Sequence, residues 1–330
     1  MAQRLPIRFL GTGAYIPDEV LTNQYFIERL ETSDEWILTR TGIRERRRAP
    51  AGESTSTLAA RAAKRALDDA GLSIADIDVI VCATATGDSQ FPATATYIQA
   101  ALGGDEIPAF DVGAACAGFL HATTVAAGLL AAGVHSTALV IGAEVLTRFV
   151  DGEDRTTAIL FGDGAGAAVL GKSDDREHGI LYCKLGCDGR KADLIGVPAG
   201  GSRLPASVMT VSERLHFLRM RGREVYKFAV IKMQKLIDEA LAETELTPHD
   251  LKLVIPHQSN LRIIQSVRER MGLPREKVVV NIDKYGNTSA ASVPMGLDEA
   301  RRNGTVKDGD LVLMVAIGAG LTWATMIVRL

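Results

Sequence analysis

Aromatic residues are scarce: Trp, Tyr and Phe make up 5% of the 330 residues, too few for a platform on which nucleic-acid bases could stack. Neither sign of charge dominates. Lys and Arg number 37 against 40 Asp and Glu, a formal net charge of −3, so no overall basic field gathers nucleic acid or a membrane surface. Cysteine is thin as well. Cys82, Cys116, Cys183 and Cys187 form no disulfide framework in a chain this long, and the Cys-x3-Cys spacing of the last two lacks the second ligand pair of a zinc site. The opening Met1–Pro6 has no apolar signal-peptide core. Together these absences predict no metal, no nucleic acid, no membrane, and a reducing, cytoplasmic setting.

One local absence is more telling. From Val112 to Ala143 there is no Asp, Glu, Lys or Arg. The run is long enough to imitate a membrane span. However, it holds His121, His135 and several threonines, breaks at Gly133–Ser136, and has no basic flanks. It reads instead as a helix buried on all sides, followed by a strand, inside a layered protein. The 47% apolar content and 32 glycines fit a close-packed α/β core. Pro108–Val112 reads as a buried strand, and Phe119, Leu120, Val125, Leu129 and Leu130 fall in helical spacing up to Ala132. Cys116 therefore lies at a strand-to-helix junction, where unpaired amides and the helix dipole favour a thiolate. Free cysteines are more often inert, buried hydrophobes, so partners elsewhere must decide.

Taken in order, Ile7–Gly13 is a first strand ending in a Gly11-Thr-Gly13 turn. Ser33 or Asp34 caps a helix that carries Trp36 and Arg40 on one face at i and i+4. Arg44–Arg48 reads as a solvated loop. Ala59–Ala70 is an amphipathic helix, followed by a polar connector and the strand Val79–Ala83. Later, the helix Val230–Ala242, a connector and the strand Leu253–His257 repeat that order. Setting Ala70 against Thr244 and Ile80 against Val254 gives the same spacing, 174, and Gly142 lies 176 from Gly318. This recurrence predicts a duplication, with halves 1–172 and 173–330. Gly162-x-Gly-x-Gly166 resembles a phosphate loop, but an apolar strand follows it, so close backbone packing explains it better. Ala199–Leu218 has no counterpart in the first half and reads as an inserted surface flap.

The repeat also assembles chemistry. Adding 174 to Cys116 gives position 290, so the equivalent junction of the second half carries Asn287, and the strand matching Val79–Ala83 ends at His257. Pseudosymmetry would bring both junctions to the centre. Cys, His and Asn at strand ends suit nucleophilic catalysis, and two hydrogen-bond donors on one oxyanion suit carbanion chemistry more than hydrolysis.

Thr39–Arg46, Ala115-Cys-Ala-Gly118, Phe161–Gly166, Pro256-His-Gln-Ser-Asn-Leu-Arg262 and Gly286–Pro294 resemble β-ketoacyl-acyl carrier protein synthase III. The resemblance runs essentially end to end. It implies the thiolase-like five-layer αβαβα sandwich and a homodimer. It also implies a decarboxylative Claisen condensation of an acyl-CoA primer, acetyl-CoA first, with malonyl-acyl carrier protein, through an acyl group on Cys116. CoA is then a substrate and no cofactor is needed. His257 and Asn287 would bind the malonyl thioester oxygen, and the amides of Cys116 and Ala319 would form the acyl-transfer oxyanion hole. Trp36, Arg40, Arg155 and Asn260 would hold CoA, Phe91 would line the acyl pocket at the dimer interface, and Arg262, Lys227, Arg268 and Arg270 would meet the carrier protein. Two departures bear on primer choice: Gly318-Ala-Gly320 where the family often has three glycines, and Arg223 where Asn is expected. Three alternatives remain open: a relative from a polyketide, quinolone or olefin pathway, a Cys-His-Asn hydrolase, and a silent partner subunit.

Overall fold

The computed structural model describes residues 4–175 and 177–330. The first half runs β1 (Ile7–Tyr15), β2 (Glu19–Thr22), α1 (Asn23–Ile27), α2 (Asp34–Thr41), β3 (Glu45–Arg48), α3 (Thr55–Ala70), β4 (Val79–Ala83), α4 (Thr94–Ala101), β5 (Ala109–Val112), α5 (Gly118–Ala131), β6 (Thr137–Val145) and β7 (Asp163–Lys172). Next come β8 (Gly179–Cys187), β9 (Ile195–Gly196), α6 (Val208–Ser212), β10 (Arg219–Met220), α7 (Gly222–Thr244), β11 (Leu253–Pro256) and α8 (Leu261–Arg270). The chain closes with α9 (Ile282–Tyr285), α10 (Ser292–Arg302), β12 (Leu311–Gly318) and β13 (Thr322–Arg329).

Two mixed sheets share one plan. The first has strand order β1-β7-β6-β4-β5 and the second β8-β13-β12-β11, extended past β11 by a parallel bridge from Val254 to Val278. In each, the first three strands are antiparallel and the next joins in parallel. Alternate residues of a strand face opposite sides, and here both sides are dry. In β4, Val79, Val81 and Ala83 face the central layer of α5 and α10, while Ile80 and Cys82 face α3 and α4. In β12, Val312, Met314 and Ala316 face the same central layer from the other side, and Leu313, Val315 and Ile317 face α7 and α8. The result is five layers, helix, sheet, helix, sheet, helix, as the resemblance implied. Strands buried on both faces need continuous apolar runs, which explains why sequence showed runs and not alternation.

Several expectations change. Gly11 and Gly13 are not a turn but the middle of β1, where α3 lies directly on the strand and Asp69 accepts from the Thr12 N–H. Arg44–Arg48 is not a solvated loop. It pairs as β3 with β2, and Arg46 is fully buried, donating to the Ile159 carbonyl and the Asn23 Oδ1 and lying over the Phe26 ring. α5 is not buried on all sides, since Val125 and Gly128 open to solvent along one stripe. The glycines of β7, by contrast, do serve packing: a Cβ on Gly166 would lie 2.7 Å from the Met295 amide nitrogen in α10. The 199–218 flap is held at its base by Leu218 N–H donating to the Phe149 carbonyl and by an Arg214–Asp151 pair, and it exposes Val208 and Met209 on α6. No helix among the described residues is long and apolar enough to cross a membrane.

Candidate active site

Two loops with the same backbone meet at the centre. Ala115 and Ser289, 174 residues apart, both have φ +47°. Each opens a single 3-10 turn, Ala115–Ala117 and Ser289–Ala291, that leads into a central helix. Left-handed backbone at a non-glycine residue is uncommon, so the same device at the same register marks both junctions as built for a purpose beyond connection. Cys116 sits on the first. Asn287 precedes the second, and His257 follows β11, its N–H donating to the Val315 carbonyl of β12.

These three side chains line one cavity of about 110 Å³, together with Phe161, Met220, Tyr226, Asn260, Ile317 and Ala319. Polar groups at the bottom are already oriented. Asn287 Oδ1 accepts from the Ser289 N–H at 2.9 Å, which leaves the Asn287 Nδ2 protons for a ligand. His257 Nδ1 lies 2.7 Å from Ser292 Oγ. The Gly318–Gly320 loop lies directly on the Cys116 backbone. A Cβ on Gly318 would come within 2.7 Å of the Cys116 nitrogen, so glycine is required there for the two segments to touch. Among the described residues the Ala319 amide bonds to no backbone carbonyl, and the Cys116 amide turns toward its own sulfur.

The electrostatics correct one expectation. Burial pushes the Cys116 thiol up to about 12, although the Ser289 hydroxyl and its own amide hold it down, so the resting group is a thiol and not the thiolate expected from the helix end. Burial also drives the His257 ring down to about 3, leaving it neutral. Helix-end amides act at the surface of an end that water can reach; here, removal of water outweighs them.

The outer residues divide. Trp36 carries guanidinium groups of both Arg40 and Arg155 close to its ring, at 4.9 and 5.3 Å from the centroid. Ser33 caps α2 by accepting from the Trp36 N–H. Asn260 lines the cavity, but its side chain is spent on structure, capping α8 at the Arg262 N–H and donating to the Arg40 carbonyl. Phe91 does not line this cavity and is 84% exposed. Arg262 lies 5.4 Å from the Tyr226 ring at the mouth. Among the described residues Arg262 and Lys227 have no ion pair, whereas Arg268 pairs with Glu269 and Arg270 with Asp238. Arg223 is exposed on the first turn of α7, beside the cavity residues Gly222 and Val225 but not lining it.

Three residues escaped the sequence reading. Ser289 and Ser292 flank the second junction, where the repeat spacing sets them opposite Ala115 and Gly118. Glu144, the first charge after the uncharged run, ends up fully buried, accepting from Thr86 Oγ1 at 2.6 Å and from the Ala85 N–H. The Ala290 amide also restrains its carboxyl, which burial raises.

Residues 110–189 match the family model of 3-oxoacyl-acyl-carrier-protein synthase III, and residues 241–330 match the model of that enzyme's C terminal. A β-ketoacyl-acyl-carrier-protein synthase III of Caldanaerobacter subterraneus subsp. tengcongensis is 49% identical over 329 residues, covering 100% of this chain and 99% of the relative. The crystal structure of 3-oxoacyl-acyl-carrier-protein synthase III from Aquifex aeolicus superposes with TM-score 0.91 at 44% identity, covering 98% of this chain and 100% of the other. A priming β-ketosynthase of a polyketide biosynthetic pathway superposes with TM-score 0.91 at 37% identity, covering 100% and 98%.

Proposed function

This chain belongs to the 3-oxoacyl-acyl-carrier-protein synthase III family, condensing acyltransferases that start fatty acid synthesis, and on that premise we propose that it works through an acyl group carried on Cys116. The observation that carries the reading is the convergence of Cys116, His257 and Asn287 on one cavity that Ala319 also lines. Cys116 Sγ attacks the carbonyl of an acyl-CoA, acetyl-CoA first, held by the Cys116 and Ala319 amides. The carbon–sulfur bond to CoA breaks, and the thiol proton leaves with CoA. Malonyl-acyl carrier protein then enters. His257 and Asn287 Nδ2 donate to its thioester oxygen, CO₂ departs, and the carbanion attacks the Cys116 thioester. The carbon–sulfur bond to Cys116 breaks and its sulfur regains a proton, releasing 3-ketoacyl-acyl carrier protein. Neutral His257 suits this role, because a donor without net charge stabilises an enolate without attracting the malonyl carboxylate that must leave. No cofactor enters the balance.

Trp36, Arg40 and Arg155 form the adenine and phosphate end of the CoA site, since guanidinium groups both stack on rings and bind phosphate. Asn260 serves that end by fixing Arg40 and α8. Arg262 and Lys227, free of ion pairs, receive the acidic carrier protein, and Arg268 and Arg270 add to the field around them.

The reading includes a homodimer. β5 has a bonded neighbour on one side only, and such an edge invites pairing. Phe91, exposed just ahead of α4, would line the partner's acyl pocket. Treating 1–172 and 173–330 as copies of one unit is part of the same proposal, supported by the matching strand orders and the 174-residue spacing. A reducing, cytoplasmic setting agrees with four free thiols.

The test is intact-mass spectrometry with a panel of acyl-CoAs, before and after malonyl-acyl carrier protein. An adduct on Cys116 that disappears as 3-ketoacyl-carrier protein forms supports the reading and ranks the primers. Loss of the adduct to water alone makes the protein a hydrolase, and absence of any adduct makes it a silent subunit.

A further inference from the structure

We propose that Ser292 is a positioning residue: its hydroxyl donates to His257 Nδ1 and holds the ring as the tautomer with its proton on Nε2, toward the cavity. The inference rests on the role given above to His257. Both residues are buried, at 1% and 2% exposure, so every proton in the pair needs a partner inside the protein. The Ser292 oxygen lies 2.7 Å from His257 Nδ1 and 3.5 Å from the Gln258 N–H. The amide can only donate, so it takes an acceptor position on that oxygen. No carbonyl or carboxylate accepts the Ser292 proton among the described residues, and the ring nitrogen is its one available acceptor.

The opposite tautomer fails this accounting. With a proton on Nδ1, Ser292 would accept from two N–H groups, and its own buried proton would go unpaired. The consequence reaches the chemistry. A neutral imidazole presents either a donor or a lone pair at Nε2. With Ser292 donating at Nδ1, Nε2–H and Asn287 Nδ2 are both donors on one side of the cavity, able to converge on a single oxygen. The lone pair of the other tautomer would repel the same oxygen as its charge grows. Packing alone does not ask for the hydroxyl. In the first half the matching positions are Gly118 and Ala83, where a Cβ on the glycine would already lie 3.0 Å from the Ala83 Cβ.

The test combines a spectrum with two half-reactions on the full-length protein. Histidine-selective ¹⁵N labelling, with His257→Gln to assign the ring, should show the Nε2–H tautomer in the parent, a mixture in Ser292→Ala, and the parental state restored in Ser292→Thr. Acylation of Cys116 by acetyl-CoA should stay within about twofold in Ser292→Ala. Condensation of the acyl-enzyme with malonyl-acyl carrier protein should fall roughly 10- to 100-fold, the loss of one buried hydrogen bond read as a rate. Should Ser292→Ala fold poorly, Ser292→Cys, with its weaker donor, takes its place and should give an intermediate rate and a partial mixture. A parent spectrum with the proton on Nδ1, or a Ser292→Ala enzyme that condenses at the parental rate, overturns the proposal. The two levels separate cleanly: the spectrum reads the tautomer alone, whereas a His257→Ala enzyme that condenses normally overturns the role of the ring itself.

Discussion

The two central junctions have one backbone and opposite chemistry. Around Cys116 the first half places Ala115, Ala117, Gly118 and Ala83, small and apolar apart from the sulfur. Around Ala290 the second half places Ser289, Ser292, Asn287 and His257. Both share the φ of +47° and the single turn before a buried helix. The two matching sheets supply two equivalent positions at the centre of the molecule. In the proposed mechanism one serves attack and the other hydrogen-bond donation, which separates two demands that conflict in a single loop. A nucleophile needs a bare, tight surround with free amides, while oriented donors need a polar surround whose every member is satisfied.

Exchanging or removing the distinguishing residues breaks the comparison. Cys116→Ser should abolish the acyl adduct altogether by mass spectrometry with every primer, because the less nucleophilic hydroxyl has no base within the apolar junction to activate it. Asn287→Ala should leave acylation near normal and slow condensation about 10²–10³-fold, as expected for loss of one oxyanion donor. Equal loss of both steps in single-turnover assays would mean that the halves do not divide the labour.

A smaller effect sharpens the contrast through pH. His257 is neutral in the fold down to about 3 but titrates near 6.5 when unfolded. The unfolded chain therefore binds the extra proton between those values, and stability falls as pH drops below about 6.5. The loss should reach about 2 kcal/mol by pH 5. Thermal melts from pH 7 to 5 should show a shallower decline in His257→Ala than in the parent; an identical decline would mean that the ring is hydrated in solution. Smallest of all, Gly118→Ser places the second half's residue in the first. Its Cβ meets Ala83 at about 3.0 Å on a strand that cannot yield, so a destabilisation of about 1 kcal/mol is expected. A melting temperature unchanged from the parent would show that the two junctions are interchangeable in packing.

Much of this was legible beforehand because elements that recur at a fixed spacing leave an arithmetic trace. The spacing of 174 located the second junction, and the apolar runs of β4, β6, β11 and β12 announced strands buried on both faces. The errors share a cause. Gly11–Gly13 read as a turn and Arg44–Arg48 as a solvated loop because local residue type was the only information. What overrode it came from distant segments: α3 closing on β1, and the Ile159 carbonyl with Asn23 enclosing Arg46. α7 starts at Gly222, ahead of the expected Val230, and the apolar stripe of its first turns, Val225, Tyr226 and Ala229, faces the cavity.

By itself the sequence determined the 174-residue recurrence, the alternation of helix and strand, and the set of residues, Cys116, His257 and Asn287, that the fold gathers on one cavity. Those properties depend on residue type at repeated spacings, which a linear chain records. Only the tertiary structure decided the protonation and orientation of those groups. Cys116 rests as a thiol and His257 as a neutral ring because five packed layers remove water from both. Asn287 and His257 face the cavity as donors because Ser289 and Ser292, silent in the sequence, occupy their other sides. Desolvation and hydrogen-bond partners are set by everything that surrounds a group, and that is known only once the chain has folded.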